Sequence, residues 1–187
     1  FLPETPIQLL VEGLLYDFGQ LTLPFDNVDE EYLQKPRQFN IKSLKDFMLF
    51  MGPLSSAFDL IVFASLWFIF NLREVALFQT VWFTYSIISN LLGMHIIRTA
   101  NIPFVQSNAH KMVYLSSILL SVVGIIVPFT WLGKTIGLVP IPWLGNVIGL
   151  IPIPLPYMSI IIGVPILYCF VAMFAKKVYI KKHGEWI

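Results

Sequence analysis

Five stretches of this chain are long and apolar enough to cross a lipid bilayer as helices, and that pattern leaves little room for any other architecture. A bilayer core needs about 20 mostly apolar residues per helix. The stretches run from about Pro6 to Leu23, Leu44 to Phe70, Leu77 to Ile97, Met112 to Phe129 and Tyr157 to Phe174. Composition agrees: 57% of residues are apolar and 12% are charged, against about 25% charged in ordinary soluble domains. The expected fold is all-α, a polytopic membrane helix bundle in contact with lipid. Its organisation is a first span (1–23), a loop (24–43), spans two to four (44–128), a Pro-rich loop (129–156), and a last span with a basic tail (157–187).

Basic residues set the expected orientation. Lys35, Arg37, Lys42 and Lys45 follow span one, Arg98 and Lys111 follow span three, and Lys176, Lys177, Lys181 and Lys182 follow span five. Only Arg73 and Lys134 fall on the other side. By the positive-inside rule the C-terminus is cytoplasmic, and five spans then put the N-terminus outside. The chain opens on Phe1 with no signal-peptide pattern, so further spans are expected upstream.

The net charge of +1, without a basic stripe interleaved with aromatics, argues against nucleic acid. A single cysteine, Cys169, excludes an internal disulfide framework and Cys-based metal motifs. No Ser-His-Asp set, zinc spacing or Gly-rich phosphate loop is readable, so catalysis is not expected of this stretch alone. The segment Ile136 to Pro142 recurs twelve residues later as Ile148 to Pro154. Its alternating prolines forbid regular helix, which predicts an interfacial or re-entrant cap between spans four and five.

Carboxylates inside the spans carry the functional signal. Asp17 and Glu12 both fall in the first apolar run, and a charge at the centre of a membrane helix costs about 2.5–3.5 kcal/mol on insertion scales. Gly13, Asp17 and Gln20 are spaced to share one helix face. Glu12 points about 140° away from Asp17 on an ideal helix, so the two can meet one ion only if the helix unwinds locally. Gly13 and Gly19 make that a working expectation. Hard cations such as Mg²⁺ take carboxylate, amide and water oxygens, so Asp17, Gln20 and Glu12 are the candidate metal ligands. The competing reading is a carboxylate paired to a base or kept protonated. Span two carries Gly52-Pro53, which predicts a kink, and Asp59 beyond it. Asp59 and Asn90 are expected in structural or supporting hydrogen bonds between helices. His95, one turn before Arg98, reads as packing or an interface anchor.

Three strings, PIQLLVEGLLYDFGQLTLPFDNVDEE (Pro6 to Glu31), FMLFMGPLSSAFD (Phe47 to Asp59) and GMHIIRTANIPFVQS (Gly93 to Ser107), resemble the C-terminal membrane region of P-type ATPases. The nearest group is the bacterial magnesium-transporting pumps. The resemblance covers about Pro6 to Pro128; the final helix resembles the family in character, and the Pro-rich repeat lies outside it. It implies that the five spans are the last five of a ten-helix membrane domain in the inner (plasma) membrane. The partners would be upstream helices and cytoplasmic domains of the same polypeptide, which would use ATP-Mg and form an aspartyl-phosphate to import Mg²⁺. In the family an Asn and an Asp four residues apart contribute to the ion site. The Asp corresponds to Asp17 and the Asn to Gly13, which has no side-chain oxygen. Either Glu12 or a water supplies that oxygen, or the ion differs, with calcium and protons as alternatives. A free-standing, non-catalytic five-span protein is the reading from another class.

Overall fold

The computed structural model describes residues 2–27, 41–139, 157, 159–183 and 186. Among them there are helices and turns but no β-strand.

Helix α1 is Pro6–Gln20. Thr5 caps it: its hydroxyl accepts from the Gln8 amide, while Gln8 Oε1 accepts from the Thr5 amide at 2.8 Å. This reciprocal box satisfies two otherwise orphaned donors, and Pro6 takes the first turn, where a missing N–H does no harm. At 15 residues and about 1.5 Å per residue the helix reaches only about 22 Å, short of a bilayer core. The chain then turns through Thr22 into a 3₁₀ turn, Leu23–Phe25.

Helix α2, Ile41–Ala64, continues as a wider π-type turn, Ser65–Ile69. It remains helical through Pro53. Helix α3 is Val75–Ile97, and α4 is Lys111–Ile126 with a 3₁₀ turn at Val127–Phe129. A short α5, Trp131–Thr135, follows. Helix α6, Val164–His183, is preceded by a π-type turn at Ser159–Gly163. Four of these units are long and apolar enough to cross a membrane: Ile41–Ile69, Val75–Ile97, Lys111–Phe129 and Ser159–Lys182. The first expected span does not reach that length as a helix.

Helix α3 is the hub. It packs on α1, α4 and α6, while α2 packs on α6 and α1 on α4. Half of its apolar stretch is buried, against 22% for α2 and for α4. The bundle therefore presents one inner helix ringed by others whose outer faces suit lipid. Small residues set the close approaches. A Cβ on Gly124 of α4 would lie 2.9 Å from Ile87 methyls of α3, and one on Gly19 of α1 would lie 3.1–3.2 Å from Leu91 and Leu120.

One expectation about the C-terminal end needs adjustment. Lys176 does not lie in a basic tail; it is inside α6 and 3% exposed. Its ammonium donates to the carbonyls of Ile96, Thr99 and Asn101 at 2.5, 2.8 and 3.4 Å. Those carbonyls end or follow α3, where a cation is favoured by unpaired acceptors and the helix dipole. Trp186 packs against Phe47 and Tyr179 and donates to the Ile97 carbonyl at 2.9 Å. Most of the Pro-rich repeat falls outside the described residues. Its first residues, Ile136 and Leu138, are buried, and the Val139 amide donates to Thr80 Oγ1 of α3 at 2.9 Å.

Candidate functional site

Helix α1 runs unbroken through Gly13 and Gly19. The local unwinding that would have let Glu12 and Asp17 share one ion is not present. Gly19 instead lets α1 approach α3 and α4, and a side chain at Gly13 would meet nothing within 4 Å. A backbone with all its internal hydrogen bonds keeps side chains at fixed angles, so the two carboxylates are held on different faces.

Asp17 is exposed on a face shared with Gly13 and the apolar Leu10, Leu14, Phe18 and Leu21. No other described helix of this chain covers it. Gln20, the last residue of α1, is half-buried. Glu12 takes the inner face and is 5% exposed. Asn90 Nδ2 of α3 donates to Glu12 Oε1 at 2.8 Å, tying the two helices. Asp59 on α2 accepts from the Tyr85 hydroxyl of α3 at 3.2 Å. Of the five sequence candidates, Asp17 and Asn90 are exposed, Gln20 and Asp59 half-buried and Glu12 buried, with Glu12 and Asp59 each bonded to a side chain of α3.

Sequence reasoning missed Glu4. It lies before the helix, where no periodicity applies, yet its carboxyl stands against that of Glu12. Burial, with Glu12 beside it, pushes the Glu4 carboxyl up to about 9. The two carboxyls bond one another, and the Ser86 hydroxyl and Asn90 amide also bond Glu12. One turn nearer the start of α1, Gln8 is fully buried; its Nε2 donates to the Ile136 carbonyl at 3.0 Å and reaches Gln79 Oε1 at 3.5 Å. Only the Thr5–Gln8 capping spacing could have drawn attention to Gln8.

A cavity of about 290 Å³ opens beside the same contact, between α1, α2, α3 and α6. Tyr16, Ser55, Ser89, Asn90 and Tyr168 give it polar groups. Toward the end that carries Arg98, Asp26 accepts from Arg98 Nη1 at 2.6 Å and from the His110 amide at 2.8 Å. Arg98 Nη2 reaches the Ser107 carbonyl at 3.0 Å. His95 bonds Ser117 Oγ at 2.9 Å and stacks on Tyr114, so it serves α3–α4 packing. Among the described residues, no group of three or more His, Cys, Asp or Glu is placed to hold a metal ion. A cation held by the described residues would use fewer carboxylates together with amide, hydroxyl, carbonyl or water oxygens, or ligands from elsewhere.

Apolar helices long enough to cross a membrane, packed around a central helix, define part of a multi-pass membrane protein. Residues 1–178 match the family described as cation transporting ATPase, C-terminus, and the chain belongs to that family. It is 41% identical over 189 residues to a protein of Salmonella typhimurium (strain LT2) named magnesium-transporting ATPase, P-type 1; the match covers 100% of this chain and 20% of that relative. A protein of Escherichia coli (strain K12) bearing the same name is 44% identical over 133 residues, 70% of this chain and 15% of its own length. The chain therefore spans about a fifth or less of the curated relatives it matches.

Proposed function

We propose that this chain is the C-terminal part of the membrane domain of an ATP-driven magnesium import pump, and that Asp17 is one of its cation ligands. The observation that carries the reading is the placement of Asp17: an exposed carboxylate on an apolar helix face that no other described residue covers. A charge there is expensive in lipid unless it faces a partner or an ion. Upstream helices of the same polypeptide supply that partner surface and the remaining ligands, with Gln20 in support. The magnesium-transporting relatives support the choice of ion.

In this reading α1 completes a fifth crossing together with the turn that follows it. The end of the bundle bearing Arg98, Lys176 and Lys181 faces the cytoplasm, and the membrane is the cell's inner membrane. ATP hydrolysis and aspartyl-phosphate formation belong to cytoplasmic domains outside this chain.

The test is Asp17→Asn in the full-length polypeptide, read by Mg²⁺ uptake and by cation-stimulated ATPase activity. Both are expected to fall by more than about tenfold, the loss that follows removal of a ligand or of a group supporting one. Wild-type uptake and stimulation in that variant sink the assignment of Asp17. Stimulation by Ca²⁺ or by protons in place of Mg²⁺ overturns the choice of ion.

A further inference from the structure

We propose that Trp186 is a stopper. It closes, at the end that carries Arg98, a water-holding cavity that runs into the middle of the bundle, and its withdrawal admits water to the cavity's inner end. The cavity of about 290 Å³ between α1, α2, α3 and α6 is graded along its length. Toward the Arg98 end its wall is apolar, made by Phe47, Met48, Met51 and Ile97. Deeper in the wall is polar, with Ser55, Ser89 and Asn90. Ser55 lies eight residues past Phe47 on α2, and Ser89 eight before Ile97 on α3, about 12 Å along each helix. A space of this size with several hydroxyl and amide groups suits water, each molecule taking about 30 Å³. Met48, Gly52, Ser55 and Asn90 are exposed, so the cavity also opens sideways between α1 and α2. That flank belongs to the membrane layer, which holds no bulk water, so water comes from the Arg98 end.

Trp186 stands behind that apolar wall and is 1% exposed. Its ring meets Phe47 edge-on at 5.0 Å between centroids and Tyr179 at 5.6 Å, and Phe47 and Tyr179 meet edge-on at 6.1 Å. Its indole N–H donates to the Ile97 carbonyl at 2.9 Å. One side chain therefore grips two wall residues from different helices, Phe47 of α2 and Ile97 of α3. The grip matters because α2 has few other holds: 22% of its apolar stretch is buried, and it packs on α6. Lys176 Nζ, bonded to carbonyls at the end of α3, lies 5.0 Å from the indole ring and steadies it as a cation over a ring face. Apolar constrictions shut a path by dewetting. A single indole held by ring contacts and one hydrogen bond is a small enough hold to serve release as well as closure. Asn90, at the inner end, donates to Glu12 at 2.8 Å, so the stopper keeps water from the α1–α3 contact. Asp17 does not line the cavity, and the closure is independent of the role given to Asp17.

Ser55→Cys in the full-length polypeptide, in membrane vesicles, puts a thiol at the inner end of the cavity. A charged, membrane-impermeant methanethiosulfonate is offered from each face of the membrane, and modification at position 55 is followed by mass spectrometry. With Trp186 in place, modification is expected to be slow from both faces. Trp186→Ala removes the indole bond and its ring contacts, and modification from the face bearing the C-terminal end is expected to quicken more than about tenfold, with no change from the other face. Trp186→Phe keeps a ring but lacks the donor to Ile97. It is expected to give a smaller rise, and it decides the matter where Trp186→Ala does not reach the membrane. Ser117→Cys, buried in the α3–α4 contact, reports general loosening and is expected to stay unmodified throughout. Equal rates with and without the indole overturn the proposal, as does fast modification at position 55 while Trp186 is present. A rise at position 117 in step with position 55, or a rise from the other face, also overturns it and makes Trp186 a support of the whole bundle.

Discussion

Asp26→Ala is expected to loosen the segment from Arg98 to Tyr114 more than any other single truncation at that end of the bundle. The Arg98 and Asp26 side chains are 5% and 12% exposed and meet at 2.6 Å. Asp26 Oδ1 also holds the His110 amide, the cap of α4. Truncation leaves a buried guanidinium whose Nε already lacks a partner, with Ser107 as its remaining contact. Breaking a buried pair from one side costs about 3–5 kcal/mol, and an orphaned amide adds about 1–3 kcal/mol. Water entering from the nearby bundle end offsets part of this, so about 3 kcal/mol is expected. Arg98→Met is milder, at about 1–2 kcal/mol, because Asp26 keeps the His110 amide and can be hydrated. The double variant should be no worse than Asp26→Ala, a coupling of about 1–2 kcal/mol. Amide hydrogen exchange over residues 98–114 of the full-length polypeptide in detergent reads the local opening. About 3 kcal/mol corresponds to exchange roughly a hundredfold faster. A coupling below about 0.5 kcal/mol, as found for exposed pairs, would refute the argument that this pair is buried and structural.

Gly124→Ala should destabilise the α3–α4 contact by about 1–3 kcal/mol through overpacking, since its new methyl lands 2.9 Å from Ile87; a thermal melt in detergent checks this, and adding Ile87→Ala should recover part of the loss. Lys176→Met should speed hydrogen exchange at the end of α3 by removing the donor to Ile96 and Thr99, at about 1–3 kcal/mol per orphaned group, whereas Lys177→Met, on the exposed side of the same helix, should leave exchange there unchanged.

The helical layout was legible because hydropathy reports the solvent a segment needs, and lipid demands long apolar helices. Expected spans two to four coincide with α2, α3 and α4 to within about three residues at most ends. The last span misled because four lysines looked like a tail. Lys176 is instead satisfied by carbonyls of α3, a partner that comes from a distant part of the chain and leaves no local trace. The first span misled in a different way. Its apolar run includes the turn after Gln20, so composition overstated the helix.

The polar residues inside the spans were legible in the sequence, but which of them stand together was not. Glycine at positions 13 and 19 carries two meanings in a sequence: loss of helix stiffness, or room for a neighbour. Gly19 takes the second meaning, because Leu91 and Leu120 stand where its Cβ would be. Only tertiary packing decides between the two, and the decision fixes everything downstream. With α1 continuous, the five residues from Glu12 to Asp17 become a rotation rather than a bend. One carboxylate is turned toward α3 and the other away from the described helices. The missing side-chain oxygen at Gly13 therefore cannot be replaced by Glu12, which is engaged with Asn90. In the proposed reading, water or a ligand from the rest of the full-length polypeptide would fill the place beside Asp17, while Glu12 acquires a neighbour, Glu4, that no helical pattern could have supplied.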